Sequence, residues 1–280
     1  MTATTVGAER IAEAFARARA NGRRAALMPY LMGGYPDLDT SREIGLAYAR
    51  SGADLIELGV PFSDPLADGP VIHSAATAAL AAGATLPAVL EVGRAIAAEV
   101  PVAVMCYFNV ILARGLERCL DQMAAIGASG VIVPDLPLEE SDRAREACTQ
   151  AGLALIGLVA PTTPVQRLAR IGAGAQGFLY TVALTGTTGE RTGSDDGLDE
   201  LVARAGAHTE VPIAVGFGIS TPQQASRAVD AGADGVIVGS RLVRAAGASP
   251  DPVAEVSELV AGFAAALDHA GQAGKDAPAA

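Results

Sequence analysis

Lysine is nearly absent from this 280-residue chain: the single one, Lys275, lies in the terminal segment GQAGKDAPAA. That segment, residues 271–280, reads as a disordered tail, so the folded body offers no amine nucleophile. Schiff-base aldolases and enzymes that anchor pyridoxal phosphate on lysine are disfavoured accordingly. A Walker A loop is also missing. Histidine is scarce and scattered. His73, His208 and His269 share no metal-ligand spacing, and neither a metal nor a cofactor is expected. Cys106, Cys119 and Cys148 form no CxxC pair and read as buried thiols in a reducing compartment, the cytoplasm. Basic residues are outnumbered, 20 against 31 acids, for a net charge of -11. Nucleic acid and anionic membrane surfaces are poor partners for such a chain. No apolar run reaches the roughly 18 residues of a membrane-spanning helix. The N-terminal GAERIAEAFARARANGRR reads as a charged amphipathic helix, not a signal peptide.

Half of the residues are hydrophobic, enough for a large core. They fall in short runs: 25–32, 53–59, 101–107, 130–135, 154–160, 177–182, 212–218 and 235–240. These runs are continuous rather than alternating, as in parallel strands covered on both faces. Helical segments lie between them. Thr40 with Glu43 and Thr221-Pro222 with Gln224 fit capping boxes. The phrases SGADLIEL, IGASGVIV, QAGLALIG and AGADGVIV repeat a glycine that closes a helix before a strand begins. Pro101 and Pro212 open two further strands. About eight β/α units predict one α/β domain over residues 1–270: an eight-stranded parallel β/α (TIM) barrel with an extra N-terminal helix. The alternative, an open doubly wound sheet, usually has fewer strands.

Active sites of such barrels lie at the C-terminal strand ends. Two long loops stand out there, GVPFSDPLADGP after the second strand and ALTGTTGERTGSDDG (183–197) after the sixth, the latter a candidate lid. The seventh and eighth strands end in VGFGIS and VGS. Gly216, Gly218, Gly239 and Ser240 there suit a phosphate held by backbone amides at helix N-termini. Strand alternation puts Leu55, Glu57 and Gly59 on one face, which points Glu57 into the barrel mouth. Desolvation there would raise its pKa into a range useful for moving protons. Asp68, in a loop braced by Pro61, Pro65 and Pro70, can return over the mouth. Asp64 either caps residues 66–69 or meets a partner. His73 falls on the first turns of the next helix, exposed. Tyr180 either lines a pocket with its hydroxyl or simply packs.

ELGVPFSDPLADGP (57–70) resembles the signature of the tryptophan synthase α subunit family. So do GYP (34–36), VPDLPLEES (133–141), TGTTG (185–189), VGFGIS (215–220) and VGS (238–240), in family order across about residues 10–268. The resemblance implies retro-aldol cleavage of indole-3-glycerol phosphate to indole and glyceraldehyde 3-phosphate. It implies Glu57 and Asp68 as the catalytic carboxylates, with Tyr180 beside them. It matches Gly189, Gly218, Gly239 and Ser240 to the phosphate, and Tyr30, Met105, Ile132, Leu158 and Phe217 to the indole ring. Thr188 matches a lid threonine, and Asp64 and Asn109 match a partner interface. The implied partner is a pyridoxal-phosphate β subunit in an α2β2 complex. Thr187, Val110 and Met32-Gly33 depart from the usual motif residues; the first two bear on that partner. A stand-alone lyase, a two-acid phosphosugar isomerase and a non-catalytic barrel are the alternatives. The isomerase would want acids at other strand ends, whereas the first strand ends in MGG and the fifth runs into APTTP.

Overall fold

A computed structural model describes residues 4–182, 196–216 and 218–268. The chain opens with α1 (Val6–Ala20), β1 (Ala26–Met32), α2 (Leu38–Arg50) and β2 (Ile56–Gly59). It continues through α3 (Pro70–Ala81), α4 (Leu86–Ala97), β3 (Val102–Met105), α5 (Phe108–Arg114), α6 (Leu116–Ala125) and β4 (Gly130–Ile132). Next come α7 (Asp142–Gln150), β5 (Ala154–Val159), α8 (Val165–Ala173), β6 (Leu179–Val182) and α9 (Asp196–Gly206). The last elements are β7 (Ile213–Gly216), α10 (Pro222–Asp230), β8 (Gly235–Val238), α11 (Ser240–Ala248) and α12 (Pro252–Ala266). The strands pair in parallel, each with its sequence neighbour, and β1 pairs β8, so the barrel closes. All eight expected strands are present, shorter than the apolar runs that announce them.

The helix punctuation follows local chemistry. Gly52, Gly127, Gly152 and Gly232 have φ of 109°, 85°, 78° and 99°, the left-handed region that glycine enters without a Cβ penalty. Thr221 and Gln224 form the expected capping box on α10. The box expected from Thr40 and Glu43 is not formed. Asp37 starts α2 instead, accepting from the Thr40 amide at 2.8 Å and the Thr40 hydroxyl at 2.7 Å. A carboxylate facing the first amides of a helix also gains from the helix dipole, so the helix begins earlier.

Two apolar layers result. Ile56, Leu58, Val102, Val104 and Val131 point outward under the helices, while Met28, Leu55, Ile132, Ile156 and Phe178 fill the interior. The amphipathic α1 closes the N-terminal end of the barrel, and Ile11 and Phe15 join the interior layer. Close approach needs small residues. A Cβ on Gly7 would sit 1.9 Å from the Ser129 carbonyl, and one on Gly235 2.9 Å from the Phe15 ring. With the bottom plugged and the middle packed, open volume is left at the other end.

Candidate active site

Glu57 stands on β2 between Tyr30 of β1 and Ala103 of β3. Two glycines make room for phenol rings around it. A Cβ on Gly59 would lie 2.0 Å from the Tyr30 hydroxyl, and one on Gly216 2.5 Å from the Tyr180 hydroxyl. Glu57 is only 1% exposed, and among the described residues neither carboxyl oxygen has a hydrogen-bond partner. Burial, reinforced by the nearby Asp68 charge, pushes its pKa up to about 8. It is therefore a neutral acid at rest. Burial raises Tyr30 and Tyr180 too, helped by Asp68 at Tyr30 and by Glu57 at both, so both stay phenols.

Asp68 sits in the loop between β2 and α3. Its main partner was not anticipated from the sequence. The Tyr107 hydroxyl donates to Asp68 Oδ1 at 3.0 Å and accepts the Ala67 amide at 3.0 Å. The Tyr107 ring packs on Phe62, centroids 5.2 Å apart. Tyr107 thus ties the end of β3 to both halves of the loop. Burial raises the Asp68 pKa, while the Tyr107 hydrogen bond and the His73 charge lower it. The only sequence signal for Tyr107 was its place, two residues beyond β3 at the barrel mouth. His73 is exposed on the first turn of α3. Asp64 does not cap residues 66–69: it is exposed and accepts from the neighbouring Ser63 hydroxyl at 2.5 Å. Asn109, on α5, is exposed too.

These groups surround a cavity of about 640 Å³ at the C-terminal strand ends. Glu57, Asp68, Tyr180, Tyr30, Met105, Leu158, Gly218, Gly239 and Ser240, all anticipated from the sequence, line it. Ile132 does not: it is fully buried in the layer beneath. Phe217, Thr188, Gly189 and most of the expected lid, 183–195, lie outside the described residues.

The glycine-rich ends differ from each other. Ser240 is the first residue of α11, whose N-terminus has no side-chain cap. The β7 side is partly satisfied by its own chain. Gln224 Oε1 accepts from the Ser220 amide at 2.8 Å and the Thr221 amide at 3.1 Å. Among the described residues, the uncapped amides at Gly239 and Ser240 are therefore better placed for an anion than those of Ser220 and Thr221. Arg241 and Arg244 of α11 also line the cavity, and sequence reasoning passed over both. Among the described residues no cluster of three His, Cys, Asp or Glu could hold a metal ion. The arrangement joins an apolar and aromatic floor, a neutral buried acid, a second carboxyl held by a phenol, and a helix end whose amides carry no side-chain cap. It suits proton transfers on a planar apolar substrate with an anionic tail.

Comparison with known proteins gives the same direction. The sequence model of the tryptophan synthase alpha chain family matches residues 15–270. The tryptophan synthase alpha chain of Prochlorococcus marinus is 49% identical over 252 residues, covering 89% of this chain and 91% of that one. The alpha chain of Synechococcus elongatus is 51% identical over 235 residues, 83% of this chain and 88% of that one. Among solved structures, tryptophan synthase from M. tuberculosis in its aminoacrylate- and BRD0059-bound form superposes with a TM-score of 0.84 at 36% identity, covering 92% of this chain and 98% of that one. Tryptophan synthase subunit alpha from Legionella pneumophila gives 0.84 at 34% identity, covering 95% and 99%.

Proposed function

As this chain belongs to the tryptophan synthase alpha chain family, we propose that its cavity cleaves indole-3-glycerol phosphate to indole and glyceraldehyde 3-phosphate, in tryptophan biosynthesis. The observation that carries the reading is Glu57: a buried carboxyl with no hydrogen-bond partner among the described residues, on the wall of the cavity that also holds Asp68.

The indole ring lies among Tyr30, Met105, Leu158 and Tyr180, with the phosphate at Gly218, Gly239 and Ser240. Phe217, Thr188 and Gly189 keep the indole, lid and phosphate roles that their motifs imply. Asp68, as carboxylate, takes the indole N–H proton. Neutral Glu57 delivers its proton to ring C3. The ring becomes an indolenine, an electron sink, so no lysine or metal is needed. Glu57, now a carboxylate, takes the proton of the hydroxyl on the carbon attached to C3. That carbon becomes the aldehyde. The C–C bonding pair returns to the ring, the nitrogen recovers its proton from Asp68, and Glu57 ends protonated. Two positioned acid–base groups of this kind contribute roughly 10²–10⁴-fold each.

The partner is a tryptophan synthase β subunit, which supplies the pyridoxal phosphate and consumes the indole. Asp64 and Asn109, with exposed Leu66 and Leu112 near the same end of the barrel, are the proposed contact face. Among the described residues no single helix is long and apolar enough to cross a membrane, and we place the enzyme in the cytoplasm.

Indole release from indole-3-glycerol phosphate, followed with and without a β subunit, tests the reading. Slow release by the isolated chain, strongly accelerated by β, is expected. Absence of indole under both conditions would overturn it.

A further inference from the structure

Arg241 and Arg244 have no role in the account so far. They follow Ser240 on α11, at the first and fourth positions after it, and both line the cavity. Helix register explains their aim. Leu242, Val243, Ala245 and Ala246 are buried in the core, so Ser240, Arg241 and Arg244 fall on the opposite side.

Two features of the pair bear on this. Some arginines of the barrel are neutralised by carboxylates, Arg19 by Asp234, Arg24 by Asp230 and Arg227 by Asp199. Arg241 and Arg244 pair with no carboxylate among the described residues. They also sit in the first turns of their helix, the end where the backbone dipole disfavours cations. Two guanidinium groups placed against the dipole, on the cavity wall and without a carboxylate among the described residues, are available to an anion from elsewhere. The molecule must in turn draw a phosphate dianion to a chain of net charge -11.

We propose that Arg241 and Arg244 are a phosphate-binding pair, guanidinium groups that grip the substrate phosphate beside the amides of Gly239 and Ser240. The inference rests on the proposed reaction and sharpens it. The phosphate is held by charge as well as by backbone dipoles, and the charge draws the substrate in. Arginine suits this better than lysine, because its planar fork meets a phosphate with two parallel N–H donors.

The test uses the full chain with its β subunit. Arg241→Gln, Arg244→Gln, the double variant and Arg241→Lys are compared with wild type for steady-state indole release. Binding of inorganic phosphate is measured in parallel by calorimetry, and thermal unfolding checks that each variant folds. Loss of a charged contact to bound substrate raises KM more than it lowers kcat, by about 10-fold per arginine, with partial recovery in the lysine variant. The phosphate dissociation constant rises in step. The salt dependence of kcat/KM flattens, most in the double variant. A folded double variant with KM, phosphate affinity and salt dependence all within twofold of wild type would overturn the pair. A wild-type enzyme that binds phosphate but releases no indole would instead strike the proposed reaction.

Discussion

Glu57 and Asp68 are both carboxylic acids, separated in role by their surroundings. Glu57 lies among phenols and aliphatic groups with no hydrogen-bond partner among the described residues, and burial, reinforced by the Asp68 charge, pushes its pKa up to about 8. Asp68 is pulled both ways, by burial and by the Tyr107 hydroxyl. A bell-shaped pH dependence of kcat/KM follows. It falls as pH rises through about 8, because ionised Glu57 has no proton for ring C3. It falls on the acid side as Asp68 becomes protonated. Tyr107→Phe removes a hydrogen bond that stabilises the Asp68 carboxylate, so the Asp68 pKa rises and the acid limb moves to higher pH. An activity loss of about 10-fold is expected at neutral pH, the scale of one hydrogen bond to a charged group. A pH-rate profile of the variant checks this, and an unmoved acid limb would contradict it. The period-2 alternation of β2 was enough to aim Glu57 inward, because its neighbours Ile56 and Leu58 are unmistakably outer-layer residues. Tyr107 was not legible. Its contact with Asp68 spans 39 residues, and nothing in a local pattern marks such a pair.

At the level of elements, α1 explains why the site is at only one end. Its Ile11 and Phe15 plug the N-terminal mouth, and Gly7 and Gly235 permit the close approach. Phe15 is 2% exposed, so Phe15→Ala should destabilise the protein by about 3–5 kcal/mol, in line with other large aromatic truncations. Urea unfolding measures this, and a loss under about 1 kcal/mol would mean that the plug is loosely packed. Sequence patterns located the elements well where backbone chemistry dictates the outcome, as at the four closing glycines and the capping box of α10. They misplaced the start of α2. Asp37 and Thr40 are both competent caps, and the choice between them depends on where the chain arrives from β1. The same limit made the two glycine-rich strand ends look alike, although Gln224 occupies amides on only one of them.

For the molecule as a whole, the repeat of apolar runs and closing glycines was enough to anticipate the closed barrel, because a parallel strand buried on both faces has few other sequences available to it. The wall of the cavity was less legible. Ile132 was assigned to it by motif, yet the barrel layers sink it beneath the floor, where depth depends on strand stagger. Arg241 and Arg244 were overlooked because exposed helix charges are usually solvated. What unites the account is one proton held by a buried carboxyl that has no hydrogen-bond partner among the described residues. The most direct measurement is kcat for indole release by Glu57→Gln, with phosphate binding recorded on the same sample. A folded variant that still binds phosphate, with kcat reduced by about 10²-fold or more, is the predicted result. Turnover within about threefold of wild type would contradict the assignment of Glu57 as the proton carrier.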